Sequence, residues 1–262
     1  MDNAKYGKLT AGLIAAWFVF TLVASAQHVF RTDFSRPAIF LGLAALTPIV
    51  VFAVWFAASK GFRQFVESLN VGTLTFVQSW RIAGYVFLVL YVYSILPGVF
   101  ALSAGWGDVF IGATAPFVAL RLANPEHRKS FILWQVLGIL DLVLAVTFGT
   151  TARLIAPHGI STTPLTVLPL SLIPTFAVPL LLILHLICIG QARRARASAN
   201  PCPLAPSKRQ AATQGRSEPL FSLQLFFAFV AATSRRAPFL PRRRAYFLAD
   251  LALSKEAKAK TT

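Results

Sequence analysis

The chain has 262 residues, 56% of them hydrophobic and 13% charged, which excludes a water-soluble domain of ordinary composition and points to lipid as the solvent. Its formal net charge of +16 would suit a nucleic-acid partner, but residues 1–192 carry 11 Lys and Arg against 6 Asp and Glu, and residues 193–262 carry 14 against 3. Two cysteines, Cys188 and Cys202, are too few for a disulfide framework or a Cys-based zinc site.

A helix needs about 20 mostly apolar residues to cross about 30 Å of hydrocarbon. In chain order the predicted spans are 9–26, 37–58, 82–102, 106–122, 131–151 and 167–189. They are read as helices because backbone groups left unpaired in lipid each cost several kcal/mol, and no alternating ten-residue strands of a barrel occur. The expected fold is an all-α membrane protein, a bundle of about six transmembrane helices over 1–192 followed by a basic tail over 193–262. The first span has a second reading: Lys5, Lys8, a short apolar run and Ala24-Ser25-Ala26 also fit a secretory signal cleaved before Gln27, which would leave five spans.

Between the second and third spans, Phe62, Phe65, Val66 and Leu69 recur opposite Arg63, Gln64 and Glu67, so residues 61–70 are expected to form a short helix in the cytoplasmic interface. Orientation follows from the basic residues of the connections. Lys5, Lys8, Lys60, Arg63, Arg81, Arg121, Arg128 and Lys129 fall on one side, and Arg31, Arg36 and Arg153 on the other. Eight against three places both termini in the cytoplasm.

Three ionisable side chains fall inside the spans, Asp108, Asp141 and His185, and such groups are functional candidates because they are costly in lipid. With Asp108 just inside an outer helix start, Asp141 deep and His185 near the inner face, successive members are predicted to lie roughly 12 Å apart in depth. That spread argues against a shared metal centre and leaves a relay of separate groups, with Asp141 the strongest member. Gly105-Trp106-Gly107-Asp108 matches the Gly-x-Gly-Asp signature of intramembrane aspartyl proteases. Such chemistry needs a second Asp sharing a water, and Asp141 falls at the wrong depth and in the wrong chain order, with no Pro-Ala-Leu motif following.

Trp80, Trp106 and Trp134 are expected as interface anchors near span ends. Gly105, Gly107, Gly112, Ala145 and Gly149 are read as small residues that let helices approach. In the sixth span Pro164, Pro169, Pro174 and Pro179 recur every five residues, and Pro174 and Pro179 should bend it, either as a functional hinge or as a kink that neighbours absorb. No His-Glu-x-x-His, Walker loop, Gly-x-Ser-x-Gly or Cys-x-x-Cys occurs, so no catalytic residue, metal or cofactor is assigned.

Gln78-Ser79-Trp80-Arg81, Leu96 to Ala101, Ala104 to Asp108, Gly112 to Pro116, Gly138 to Asp141 and Pro179 to His185 resemble a group of small, uncharacterised bacterial membrane proteins. The resemblance spans about residues 10–192 and implies a bacterial inner membrane but no activity. Beyond it, the apolar run 220–232, flanked by Arg235-Arg236 and Arg242-Arg243-Arg244, is either an interfacial helix drawn to anionic lipid head groups or an unordered appendage. Nucleic-acid binding ranks third, for want of a reading module. The functions expected are a small-solute or proton-linked transporter or permease, then a non-catalytic scaffold or accessory subunit that pairs with itself or another membrane protein. An aspartyl hydrolase is a remote third.

Overall fold

A computed structural model describes residues 3–31, 39–124, 126–155 and 159–199, without the side chains of 153, 154 and 195–199. Residues 200–262 of the tail, with the run 220–232 and Cys202, and also Arg36 and the expected start of the second span at Pro37, lie outside the described residues, whereas 193–199 continue α8. The described residues hold helices and turns and no strand. In order they are α1 (Asn3–Ala26), α2 (Ile39–Ala58), α3 (Lys60–Ser68), α4 (Val71–Val77), a 3-10 stretch Gln78–Gly84, α5 (Tyr85–Val92), α6 (Gly98–Phe117) with a π turn Val118–Leu122, and α7 (Arg128–Ile155). A 3-10 turn Thr163–Thr166, a π turn Ile173–Ala177 and α8 (Val178–Ala199) complete them. Six stretches are long and apolar enough to cross a membrane, Asn3–Ala26, Ile39–Ala58, Val71–Val92, Gly98–Leu122, Arg128–Ala152 and Ile173–Arg194.

The number of crossings matches the sequence reading, but two registers do not. The third crossing runs from Val71 to Val92, not over 82–102, and the fourth begins at Gly98, not at 106. The cause is the turn between them. Ser94 adopts a left-handed conformation (φ 54°), the N–H of Ile95 and of Leu96 both return to the Leu90 carbonyl, and Pro97 sits where α6 starts. A left-handed residue closing a helix, followed shortly by proline, ends one helix and starts the next. Arg81 is therefore not a loop residue but lies midway along a crossing. Trp106 becomes a mid-helix, lipid-facing residue, and Trp134 turns inward to donate to the Thr114 hydroxyl at 2.9 Å, so neither is an end anchor.

Side chains complete the helix ends at the α2–α3–α4 corner. Ser59 and Asn70 accept from the backbone N–H of Phe62 and Thr73, capping α3 and α4. Arg63 donates to the carbonyls of Phe56 and Ala57 that end α2, and Gln191 of α8 donates to the carbonyls of Val66 and of the cap residue Leu69 at the end of α3. The helix expected near residues 61–70 is thus present, with Phe62 and Val66 buried on its apolar face.

At the centre stands α6. Its buried Ala101, Ala104, Ile111 and Ala115, with Asp108 between them, recur at alternating steps of three and four, which lines one stripe of the helix with small residues. Against that stripe pack the 3-10 stretch, α5 and α7. The expected sixth helix over 167–189 is shorter at its start: Pro164 lies in a 3-10 turn and Pro169 in the turn after it, and only from Ile173 does a crossing run on. Pro174 lies inside the π turn and Pro179 just beyond it. Because Pro179 has no N–H, the Thr175 carbonyl four residues back loses its helical partner. The Trp17 indole of α1 supplies one at 3.1 Å, and Ser171 donates to Ser25 of α1 at 2.9 Å beside it.

A buried ionic cluster at mid-span

The 3-10 stretch decides what faces the bundle interior. At three residues per turn, side chains three apart eclipse, so Gln78, Arg81 and Gly84 form one row, and all three are buried. Arg81 is 3% exposed in the middle of a crossing, where a lone guanidinium is costly. It is met on every side. Its Nε donates to Asp108 at 2.7 Å, its Nη2 to Asp141, and its Nη1 to the Gly138 carbonyl at 3.1 Å and to Nε2 of His185 at 3.3 Å. The planar fork matches several acceptors at once, which an ammonium could not do from one point.

The three residues singled out from the sequence therefore meet at one side chain, and the expected depth separation is overturned. Asp108, Asp141 and His185 each lie near the middle of Gly98–Leu122, Arg128–Ala152 and Ile173–Arg194, as Arg81 does in Val71–Val92. The Ser94–Pro97 turn moves the start of the Asp108 helix back from 106 to Gly98, and the later start at Ile173 brings His185 to the middle of its own span.

Arginine only donates, so Nε2 of His185 must accept and its Nδ1 must carry the proton. From there the donors run one way. His185 Nδ1 donates to Oε1 of Gln135 at 2.5 Å, and Gln135 Nε2 to the Thr75 hydroxyl at 3.2 Å. Thr75 donates its hydroxyl hydrogen bond to the Val71 carbonyl at 2.8 Å, which leaves the Cys188 thiol, 3.8 Å away, as donor to Thr75. Thr75, Gln135 and His185 are fully buried, while the Asp108 and Asp141 side chains keep 16% and 14% exposure. The chain thus passes from two carboxylates at its partly open end to a closed end formed by α4, α7 and α8.

Glycines make the room. A β-carbon at Gly84 would overlap Asp108, one at Gly107 would overlap Asp141, one at Gly138 would overlap the His185 ring, and one at Gly112 would strike the backbone at Ile82. Asp108, Asp141 and His185 each sit against a missing side chain of a neighbouring segment. Of the small residues that the sequence marks for helix packing, Gly107 and Gly112 belong to this cluster, and Gly84 and Gly138 join them.

Arg81, Gln135 and Thr75 were not singled out from the sequence. The signal for Arg81 was the three-residue spacing of Gln78, Arg81 and Gly84 in an otherwise apolar stretch. For Gln135 it was its place with Gly138 and Asp141 on one face of α7. Most of the motifs that carry the resemblance, Gln78 to Arg81, Ala104 to Asp108, Gly112, Gly138 to Asp141 and Pro179 to His185, also converge here. Among the described residues no group of three or more His, Cys, Asp or Glu side chains could hold a metal ion. The meeting of Asp108 and Asp141 at Arg81 removes the depth objection to the protease reading, but a guanidinium binds both carboxylates, whereas those of a dyad share a water and a proton.

The fold and cluster define a helical, membrane-type protein organised around an internal ion network. Residues 36–193 match the family model described as a domain of unknown function, DUF8737, and the chain belongs to that family. The match takes in every member of the cluster and leaves α1 outside. No curated protein and no solved structure matches the chain.

Proposed function

We propose that this is a proton-linked transporter or permease for a small solute in a bacterial inner membrane, with Asp141 and Asp108 as its proton-carrying groups and both termini in the cytoplasm. The observation that carries the reading is the charge count of the cluster: one guanidinium is bound by two carboxylates. An uncompensated charge inside a membrane protein is costly, so neutrality calls for one further positive charge, of which a proton is the smallest. Taking up and releasing that proton would change which carboxylate Arg81 holds, and the 3-10 stretch and the π turn give the helices beside it irregular geometry of the kind found at hinges. Pro174 and Pro179 are the hinge candidates. The orientation rests on Lys and Arg in the connections, which still divide seven against three when Arg81 is withdrawn from the count.

The test is proton uptake into sealed proteoliposomes loaded with a pH-sensitive dye and driven by a potassium-diffusion potential. Uptake above that of protein-free liposomes, lost in Asp141→Asn with insertion unchanged, is the expected result; an Asp141→Asn rate equal to that of the native chain would refute the role.

A second reading has its own support. Arg81, His185, Gln135 and Thr75 are closed off from the surface, as suits a non-catalytic scaffold or accessory subunit whose polar core fixes helix packing. That reading expects a stoichiometric protein partner after gentle detergent extraction and no proton flux.

A further inference from the structure

Away from the ion cluster, the end of the bundle where α2 and α8 finish carries a groove of about 200 Å³ between α2, α3 and α8. Its walls are apolar, formed by Phe52, Phe56, Val66, Leu186 and Ile187, and its mouth is charged, with Arg194 paired to Glu67. Gly190 lines it, and a β-carbon there would meet nothing within 4 Å, so there is room at that position for a larger side chain. Two guanidiniums, of Arg63 and Arg194, lie over the Phe56 ring at its rim, 5.4 and 5.9 Å from the centroid. The described charges at this mouth are thus Arg63 and Arg194 against Glu67.

We infer that this groove is a binding site for one acidic phospholipid, its acyl chain along Phe52, Phe56 and Leu186 and its phosphate between Arg194 and Arg63. The charge at the rim selects the anionic head group, because basic side chains at a membrane surface favour acidic lipid over zwitterionic lipid. Apolar walls select a tethered chain over a free phosphate, since burying acyl methylenes is where most of the binding free energy arises. Arg63 is held in place by the Phe56 and Ala57 carbonyls, so the rim is ordered before a lipid arrives.

The experiment is native mass spectrometry of the full chain in mild detergent, titrated with equal amounts of palmitoyl-oleoyl phosphatidylglycerol and phosphatidylcholine. One saturable adduct is expected, with phosphatidylglycerol preferred by about tenfold. Gly190→Leu fills the groove and should reduce occupancy by about tenfold with the thermal midpoint unchanged, and Arg194→Gln, which leaves Arg63 balanced by Glu67, should erase the preference while a lipid is still retained. Glycerol 3-phosphate should not displace the adduct. Equal retention of the two lipids by the native chain, displacement by glycerol 3-phosphate, or a folded Gly190→Leu that keeps its lipid would each overturn the inference. The head-group preference is read on the unaltered chain, so the outcome does not depend on any variant folding.

Discussion

Removing Arg81 would leave Asp108 and Asp141 facing one another at mid-span without a counter-ion, and would take away the donors that His185 and the Gly138 carbonyl now accept. Breaking a buried ion pair by deleting one partner costs about 3–5 kcal/mol, because the remaining charge keeps its desolvation penalty. Arg81→Ala is therefore expected to lose about that much stability. Arg81→Lys should recover little, since one ammonium cannot reach four acceptors on three helices. The triple variant Arg81→Ala, Asp108→Asn, Asp141→Asn should regain most of the loss, as the amides need no counter-charge. Thermal unfolding in detergent, followed by tryptophan fluorescence, checks this, and simple additivity of the three changes would contradict the coupling. The glycines permit a parallel comparison. Gly107→Ala and Gly138→Ala would press a methyl into Asp141 and His185 and should cost about 1–3 kcal/mol each. Gly12→Ala and Gly42→Ala, with nothing within 4 Å, should be neutral or gain up to about 1 kcal/mol from helix propensity. Equal losses at all four positions in the same melts would remove the case that the cluster glycines are fitted to their partners.

Single helices show what a sequence can and cannot carry at the next scale. The five-residue proline interval is visible in the chain, and so is the rule that Pro179 frees the carbonyl of Thr175. What covers that carbonyl is not, because Trp17 is 158 positions away in sequence. The sixth span's irregular start and the third span's 3-10 stretch likewise meet partners far away in the chain, Ser25 for Ser171 and Asp108, Asp141 and His185 for Arg81. α1 is the element most changed by this view. Read alone it is an apolar segment with a signal-like end, whereas in the fold it donates to a broken helix and receives a bond from Ser171. A double-mutant cycle tests the assignment. Trp17→Phe should cost about 1–3 kcal/mol, the penalty for an unsatisfied buried carbonyl. In a Pro179→Ala background the new N–H can serve Thr175 itself, so the same change should cost at least about 1 kcal/mol less. Identical losses in the two backgrounds, measured by the same thermal melts, would show that Trp17 acts by packing alone.

Across the whole molecule, the count of six crossings was legible because it depends on summed hydropathy over about 20 residues, which tolerates one charged side chain per helix. Register was not legible for that same reason. Arg81 could be left in a loop at almost no cost to the hydropathy of residues 82–102, and only the internal partners that meet it in the fold justify its place at mid-span. With that shift corrected, scattered polar residues become one cluster, and the basic residues that remain in connections become a cleaner indicator of side. They predict that the chain beyond α8 faces the cytoplasm. Cys202 offers a single reporter of that, since Cys188, the other cysteine, is buried at 1% exposure beside Thr75. A membrane-impermeant maleimide should leave the protein unlabelled in sealed cells and label it once after permeabilisation, with no labelling of Cys202→Ser under either condition. Labelling of the native chain in sealed cells would invert the topology, and with it the side to which the α2–α3–α8 groove and its arginines belong.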